Sequence, residues 1–227
     1  MYKQFSFSPL ITWAYTTFIN LLSPPCCSYC KEFLQERVVF CMRCMAKLQP
    51  VVSMMMPITT TKSIKVFAAF AYKEPIKTLI MAKSWSDSVA SVHLGQLMWE
   101  RTDVRSVSFD YLVPVPLHWT RFAKRGFNQA QEIAQVIAQK SGTCVAPILK
   151  RQKRTPFQAG LKAVERISNV NDAFMLKNID VSLYKDKHLV IVDDLLTTGS
   201  TIRACAKVLF QLKPASITVV VACRVVD

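Results

Sequence analysis

A chain of 227 residues has room for one α/β domain plus a small appendage, and for a sizeable buried core. Apolar residues make up 51% of it and charged residues only 19%, which excludes a disordered or low-complexity chain. Lysine and arginine outnumber aspartate and glutamate by 29 to 15, and the formal charge of +14 points to polyanionic partners, nucleic acid foremost.

Residues 4 to 30 carry no charged side chain, which raises the question of a targeting segment. Leu10 to Leu22 is short for a bilayer span and is interrupted by Thr12, Thr16, Thr17 and Asn20. Lys3 alone, followed much later by Pro24-Pro25-Cys26-Cys27, makes a poor signal peptide. Pro9 to Leu22 therefore reads as an amphipathic helix docked on the body of the protein. The chain reads as cytoplasmic, without a transmembrane segment.

Four of the eight cysteines then fall in the pattern Cys27-x2-Cys30-x10-Cys41-x2-Cys44. Two C-x2-C hooks can place four thiolates in a tetrahedron, the geometry zinc prefers, and four sulfurs leave no open position for catalysis. The expected metal is structural Zn2+. Cys26 stands beside Cys27 and either can be the first ligand, although the C-x2-C register favours Cys27. Cys144, Cys205 and Cys223 lie singly in apolar stretches and read as small core residues.

Val51 to Lys62, with Met54-Met55-Met56-Pro57 and Thr59-Thr60-Thr61, reads as a connector. A strand is expected over Ile64 to Tyr72, a helix from Pro75 through Lys83, and a second helix from Ser88 to Arg101. Tyr111 to His118 reads as the first strand of the ligand-binding core. Pro114 and Pro116 prevent ordinary strand pairing there and force a turn. The loop that follows carries Arg121, Lys124 and Arg125 among Trp119, Phe122 and Phe127, a composition suited to a nucleic-acid backbone or a pyrophosphate. Its helix buries Ala130, Ile133, Ala134, Ile137 and Ala138. Lys150, Arg151, Lys153 and Arg154 form a second basic cluster, read as a flap over the ligand or a track for a polyanion.

The stretch from Leu189 to Thr201 organises the rest. Four apolar residues, Leu189 to Val192, suit a strand buried on both faces of a parallel sheet. They run into Asp193 and Asp194, then Thr197-Thr198-Gly199-Ser200-Thr201, then a helix to Leu212. Such a turn lies at the carboxyl end of a strand and the amino end of a helix, where α/β sheets bind their ligands. Gly199 permits close backbone approach, and the hydroxyls of Thr197, Thr198, Ser200 and Thr201 join the helix N–H groups in an anion cradle. The two acids repel phosphate but can accept from a sugar diol or stand near a divalent cation. A phosphate cradle and a diol acceptor within one loop describe a ribose 5-phosphate.

These thirteen residues resemble the 5-phosphoribosyl 1-pyrophosphate (PRPP) motif of type I phosphoribosyltransferases. Taken with the four cysteines, Val113 to Leu117 (V-P-V-P-L), Arg121 to Gln129 (R-x3-R-G-F-N-Q) and Gln158 to Asn169 (Q-A-G-L-x4-R-x2-N), nearly the whole chain resembles the ComF (competence protein F) family. Lys83 to Asp87 keeps the lysine and aspartate of that family's K-[YF]-x-G-D segment but lacks its glycine. The resemblance implies an α/β type I phosphoribosyltransferase fold with a parallel, Rossmann-like core and an N-terminal four-cysteine zinc module. The expected division is 1–57 for the helix and zinc module and 58–227 for the phosphoribosyltransferase-like domain. It further implies a protein of natural transformation acting on incoming single-stranded DNA beside a DNA-uptake helicase or pore components. Asp193 and Asp194 would contact the ribose hydroxyls with Mg2+ nearby, and Thr197 to Thr201 would hold the 5-phosphate. Val115, Pro116 and Leu117 would meet the pyrophosphate, with Arg125 on a loop above it. The donor side of a transfer reaction is supplied. No acceptor site or general base is evident, since His118 alone is more often a hydrogen-bonded structural residue. An active PRPP-dependent transferase is thus the alternative to a PRPP-binding DNA-handling protein.

Overall fold

The computed structural model describes residues 24–36, 38–81, 88–117, 126–152 and 173–226. The chain forms two compact units, Met1–Lys47 and Leu48–Asp227. The division falls ahead of the expected boundary at 57/58, because residues 48–57 belong with the sheet. In the first unit the described chain folds as turns around the cysteines, with one short helix, α1, at Met42–Met45.

The second unit is built on a six-stranded sheet in the order β1-β2-β8-β7-β3-β4. Its strands are β1 (Met54–Pro57), β2 (Ser63–Ala71), β3 (Tyr111–Pro114), β4 (Cys144–Val145), β7 (His188–Leu196) and β8 (Ser216–Arg224). All neighbours pair in parallel except β1, which runs antiparallel to β2. β5 (Leu149–Arg151) and β6 (Phe174–Leu176) pair separately as a small antiparallel sheet. The helices are α2 (Ile76–Met81), α3 (Ser88–Arg101), α4 (Gln129–Ser141) and α5 (Ser200–Leu209).

The apolar run of β7 explains its central place. Leu189, Val190, Ile191 and Val192 are all fully buried, and each such side chain contributes roughly 1.5–3 kcal/mol of burial. Leu189 and Ile191 join the core made by Ile202, Cys205 and Leu209 of α5. Val190 and Val192 alternate to the other face, where α3 and α4 pack on the sheet and on each other. α3 and α4 approach closely at Gly95, where an added Cβ would lie 2.8 Å from the Val136 Cβ.

Two expectations are corrected. Met54–Pro57 is an ordered edge strand rather than part of a connector, with Met54 opposite Val66 and Pro57 opposite Ser63. Its alternation places Met56 in the core and Met55 outside, and Pro57 ends the strand. Cys144 is exposed on the two-residue edge strand β4, whereas Cys205 and Cys223 are buried as expected. The proposed N-terminal helix over Pro9 to Leu22 lies outside the described residues. Among the described residues no helix is long and apolar enough to cross a membrane.

Candidate functional site

The carboxyl edge of β7 assembles the site. The strand continues past the apolar run, through Asp193 and Asp194 to Leu196, so both acids sit on the sheet itself. Gly199 follows with φ 75° and ψ 5°, the left-handed conformation that favours glycine, and serves as the N-cap of α5. It offers that helix no side-chain cap, and the first helical bond is Arg203 N–H to the Gly199 carbonyl at 2.8 Å. The first-turn amides of α5 thus lack the carboxylate or hydroxyl that helix starts commonly carry, which suits an anion from outside. Thr197, Gly199, Ser200 and Thr201, together with Leu195, Leu196 and Ile202, line a small, open depression of about 20 Å³. Thr198 stands apart from it. Its hydroxyl donates to Ser200 Oγ at 3.2 Å, and its carbonyl accepts from Arg203 Nη1 at 2.6 Å.

The neighbouring turn is set by strand register. Pro114 lies opposite Val192, and the Val115 N–H donates to the Val192 carbonyl at 2.9 Å. Val115, Pro116 and Leu117 therefore leave the sheet beside the two acids. Asn128 fixes this turn from behind. Its Nδ2 donates to the Val115 carbonyl at 3.0 Å, and its Oδ1 accepts from the Ala130 N–H at 3.2 Å, capping α4.

Asp193 is half-buried, and its Oδ1 accepts from the Asp194 N–H at 2.9 Å. Burial pushes its carboxyl well above the usual carboxylate range, and the charge of Asp194 adds to the rise; the Asp194 amide and Arg151 act the other way. Two adjacent carboxyls oppose each other's ionisation, and a nearby cation would relieve that opposition. Tyr72 follows β2 at the same edge, where its N–H donates to the Arg224 carbonyl at 2.7 Å and Arg224 lies opposite Leu196; burial raises its phenol, and the nearby Cys223 and Asp194 add to the rise.

The cationic residues divide. Lys150 is exposed, while Arg151 is half-buried, with its guanidinium 5.3 Å from the Phe174 ring centre and near enough to Asp193 to bias its ionisation. Alternation along β5 sends the two in opposite directions. Arg121, Lys124, Arg125, Lys153 and Arg154 lie outside the described residues, as does His118.

In the first unit the thiol sulfurs of Cys27, Cys30, Cys41 and Cys44 all lie within 4.8 Å of one another. Cys26 is exposed and pairs across a β-bridge with Phe33 instead of joining them. Burial opposes ionisation at Cys27, but the backbone N–H groups of Cys41, Cys30 and Tyr29 outweigh it and bring the thiol down to about 6. Burial pushes Cys44 up to about 12. By themselves four sulfurs this close cannot all carry charge, and a divalent cation would let them do so. The cluster can hold a metal such as zinc.

Residues 122–226 match the phosphoribosyl transferase domain family. The chain is 29% identical over 201 residues to competence protein F of Haemophilus influenzae, covering 85% of this chain and 82% of that protein. It is 31% identical over 160 residues to the DNA utilization protein YhgH of Escherichia coli K12, covering 67% and 69% respectively. The chain belongs to the competence protein F family. Its fold is that of the type I phosphoribosyltransferases, with the four-cysteine cluster added at the N-terminus. Among solved structures it is similar to the adenine phosphoribosyltransferase of Thermoanaerobacter pseudethanolicus, 18% identical with a TM-score of 0.39, over 78% of this chain and 84% of that one.

Within this competence protein F family member, three residues at the site went unassigned from sequence. Asn128 was visible only as a letter of the R-G-F-N-Q motif, although its position just before an apolar helix is an N-cap signal. Tyr72 ends an apolar strand, and nothing in its neighbours marks it. Arg203 lies in the helical pattern after the turn, where a charged residue ordinarily signifies a solvated face.

Proposed function

We propose that this chain binds PRPP with Mg2+ at the carboxyl edge of its sheet and handles incoming single-stranded DNA in the cytoplasm, as a protein of DNA uptake. The observation that carries the ligand side is the start of α5. A left-handed Gly199 leaves the helix without a side-chain cap, beside a small depression lined by Thr197, Ser200 and Thr201, and the strand that leads into it carries Asp193 and Asp194. Thr197, Gly199, Ser200 and Thr201 would hold the 5-phosphate, with Thr198 shaping the turn. Asp193 and Asp194 would accept from the ribose hydroxyls and favour Mg2+ close by. Val115 to Leu117 would meet the pyrophosphate, with Arg125 above them. Mg2+ would offset the negative charge of the ligand beside the acids. Zn2+ would be held by Cys27, Cys30, Cys41 and Cys44 in a purely structural role.

The DNA side rests on the formal charge of +14 and on relatives named for competence and DNA utilization. Arg121, Lys124, Arg125, Lys150, Lys153 and Arg154 would contact phosphates, and Arg151 would contribute less because it turns inward. A DNA-uptake helicase or pore components would be the protein partners. The match to the phosphoribosyl transferase domain favours a second reading, an active transferase with its own acceptor. That reading expects pyrophosphate release once the acceptor is supplied.

Calorimetric titration of PRPP with Mg2+ into zinc-replete protein tests the ligand reading; saturable binding is expected, and absence of heat at any concentration would reject it. Single-stranded DNA affinity should fall steeply between low and high salt, since each released counterion adds to the slope. Salt-independent binding, or binding untouched by charge reversal in both clusters, would reject the DNA reading.

A further inference from the structure

Arg203 reaches back from α5 to the turn that precedes its own helix. Its Nη1 donates to the Thr198 carbonyl at 2.6 Å, and its Nε donates to the Pro57 carbonyl at 3.2 Å. One guanidinium thereby ties the phosphate turn to the last residue of β1, a strand 146 positions away in sequence from Arg203. Met56, the neighbouring residue of β1, is buried against the turn from behind. A Cβ added to Gly199 would lie 2.8 Å from the Met56 Sδ and 3.3 Å from Arg203 Nη1. Thr197, Gly199, Ser200 and Thr201 line the depression, and neither Arg203 nor Met56 does.

We infer that Arg203 is a positioning residue for the phosphate turn, acting through the Thr198 carbonyl and braced on β1. The inference rests on the reading of that turn as the seat of a sugar 5-phosphate. A trans peptide is planar, with its N–H directed opposite its C=O. Fixing the Thr198 carbonyl on the guanidinium therefore turns the Gly199 N–H away from Arg203. With that peptide plane fixed, the Gly199 N–H would be a ready-made donor to the 5-phosphate, and no orientation would have to be lost on binding. The planar fork is what allows both carbonyls to be held at once. An ammonium on a flexible stem carries the same charge but is a point donor.

The edge strand β1 thereby acquires a role that its sequence conceals. It runs antiparallel to an otherwise parallel sheet and ends at Pro57, whose carbonyl projects to Arg203. The turn is clasped between β1 behind it and α5 after it, while Asn128 holds the 115–117 turn by an independent bond to the Val115 carbonyl. Disturbing Arg203 should alter one ligand loop and leave the other as it was.

The test uses two probes on the full chain, ribose 5-phosphate and inorganic pyrophosphate, each with Mg2+ and each measured by calorimetry. Arg203→Met keeps the apolar stem, and Arg203→Lys keeps the charge. Both variants are expected to lose ribose 5-phosphate affinity by about tenfold, with pyrophosphate affinity at the wild-type value. Wild-type affinity for ribose 5-phosphate in Arg203→Lys would overturn the inference, because charge alone would then suffice. A parallel fall for both probes would also overturn it, since that is the mark of general structural damage. Failure of the wild-type chain to bind ribose 5-phosphate at all would instead overturn the sugar-phosphate reading on which the inference rests.

Discussion

The four-cysteine unit and the sheet are held by different physics. Among the described residues up to Lys47, the buried side chains other than cysteine are Val39 and Phe40. Phe33 and Met42 in the same unit are 76% and 85% exposed, so little apolar area there is removed from water. The sheet unit buries whole strands, with β7 and β8 each carrying four or more fully enclosed residues. With so few other buried side chains among the described residues of the cysteine unit, its thiols are expected to carry the stability of that stretch, whereas the sheet has its own core. The fold that presents the ligand loops should therefore survive losses that destroy the cysteine unit.

The widest separation between the two should come from metal removal. Structural zinc sites in small peptides supply about 10–16 kcal/mol of folding free energy. Chelation, or Cys41→Ser, is expected to open residues 24–47 to protease while the sheet keeps its cooperative unfolding. Mass spectrometry of the intact protein should find one zinc per chain beforehand. Equal protease resistance with and without metal would erase the contrast.

Within the sheet, the acids should show function and stability pulling apart. Asp193→Asn removes a half-buried carboxyl that repels Asp194, so thermal stability should rise, by about 2–4 °C for each kcal/mol gained. PRPP affinity with Mg2+ should fall by about 100-fold in the same variant and in Asp194→Asn. A fall in melting temperature for Asp193→Asn would mean that the acid is satisfied by the protein alone.

A smaller effect is expected at Gly199→Ala. The new Cβ would meet Met56 Sδ at 2.8 Å, in a backbone conformation costly for any L side chain. Destabilisation of about 1–2 kcal/mol should follow, read as a lower melting temperature together with weaker ribose 5-phosphate binding.

The least effect is expected at the opposite edge of the sheet. Asp110 accepts from the His188 N–H at 2.9 Å and from Lys187 Nζ at 3.1 Å, and these hold its carboxyl below the usual range, the backbone bond foremost. A depressed acid contributes stability above its unfolded value and loses it as pH falls through the folded one. The difference in melting temperature between wild type and Asp110→Asn should thus be small near neutrality, and should close below about pH 4. A gap that widens on acidification would reverse the sign of this contact.

Most of the ligand edge was legible because its signals are local and periodic. The unbroken apolar run of Leu189 to Val192 suits a doubly buried strand, and the glycine and hydroxyls after the acids suit a tight turn into a helix. The cysteine hooks announce themselves by spacing, and the structure gathers the sulfurs of Cys27, Cys30, Cys41 and Cys44. What escaped was non-local. Met54-Met55-Met56-Pro57 lacks the β-branched residues that mark strands, and pairing with β2 makes it one all the same. Cys144 has apolar neighbours in sequence but sits on a strand that is the last of the sheet among the described residues. Arg203 gains its meaning from Pro57, and Asn128 from Val115, contacts across 146 and 13 residues that no periodicity encodes.

In the proposed complex a sugar phosphate would sit at the start of α5 with its diol against Asp193 and Asp194. Phosphorus NMR of PRPP with Mg2+ addresses it directly, because the 5-phosphate and the two pyrophosphate resonances are separate. On adding saturating protein all three should shift or broaden, and each should stay at its free position in the presence of Asp194→Asn protein at the same concentration. Resonances unmoved by the wild-type chain, or moved equally by the variant, would contradict the account.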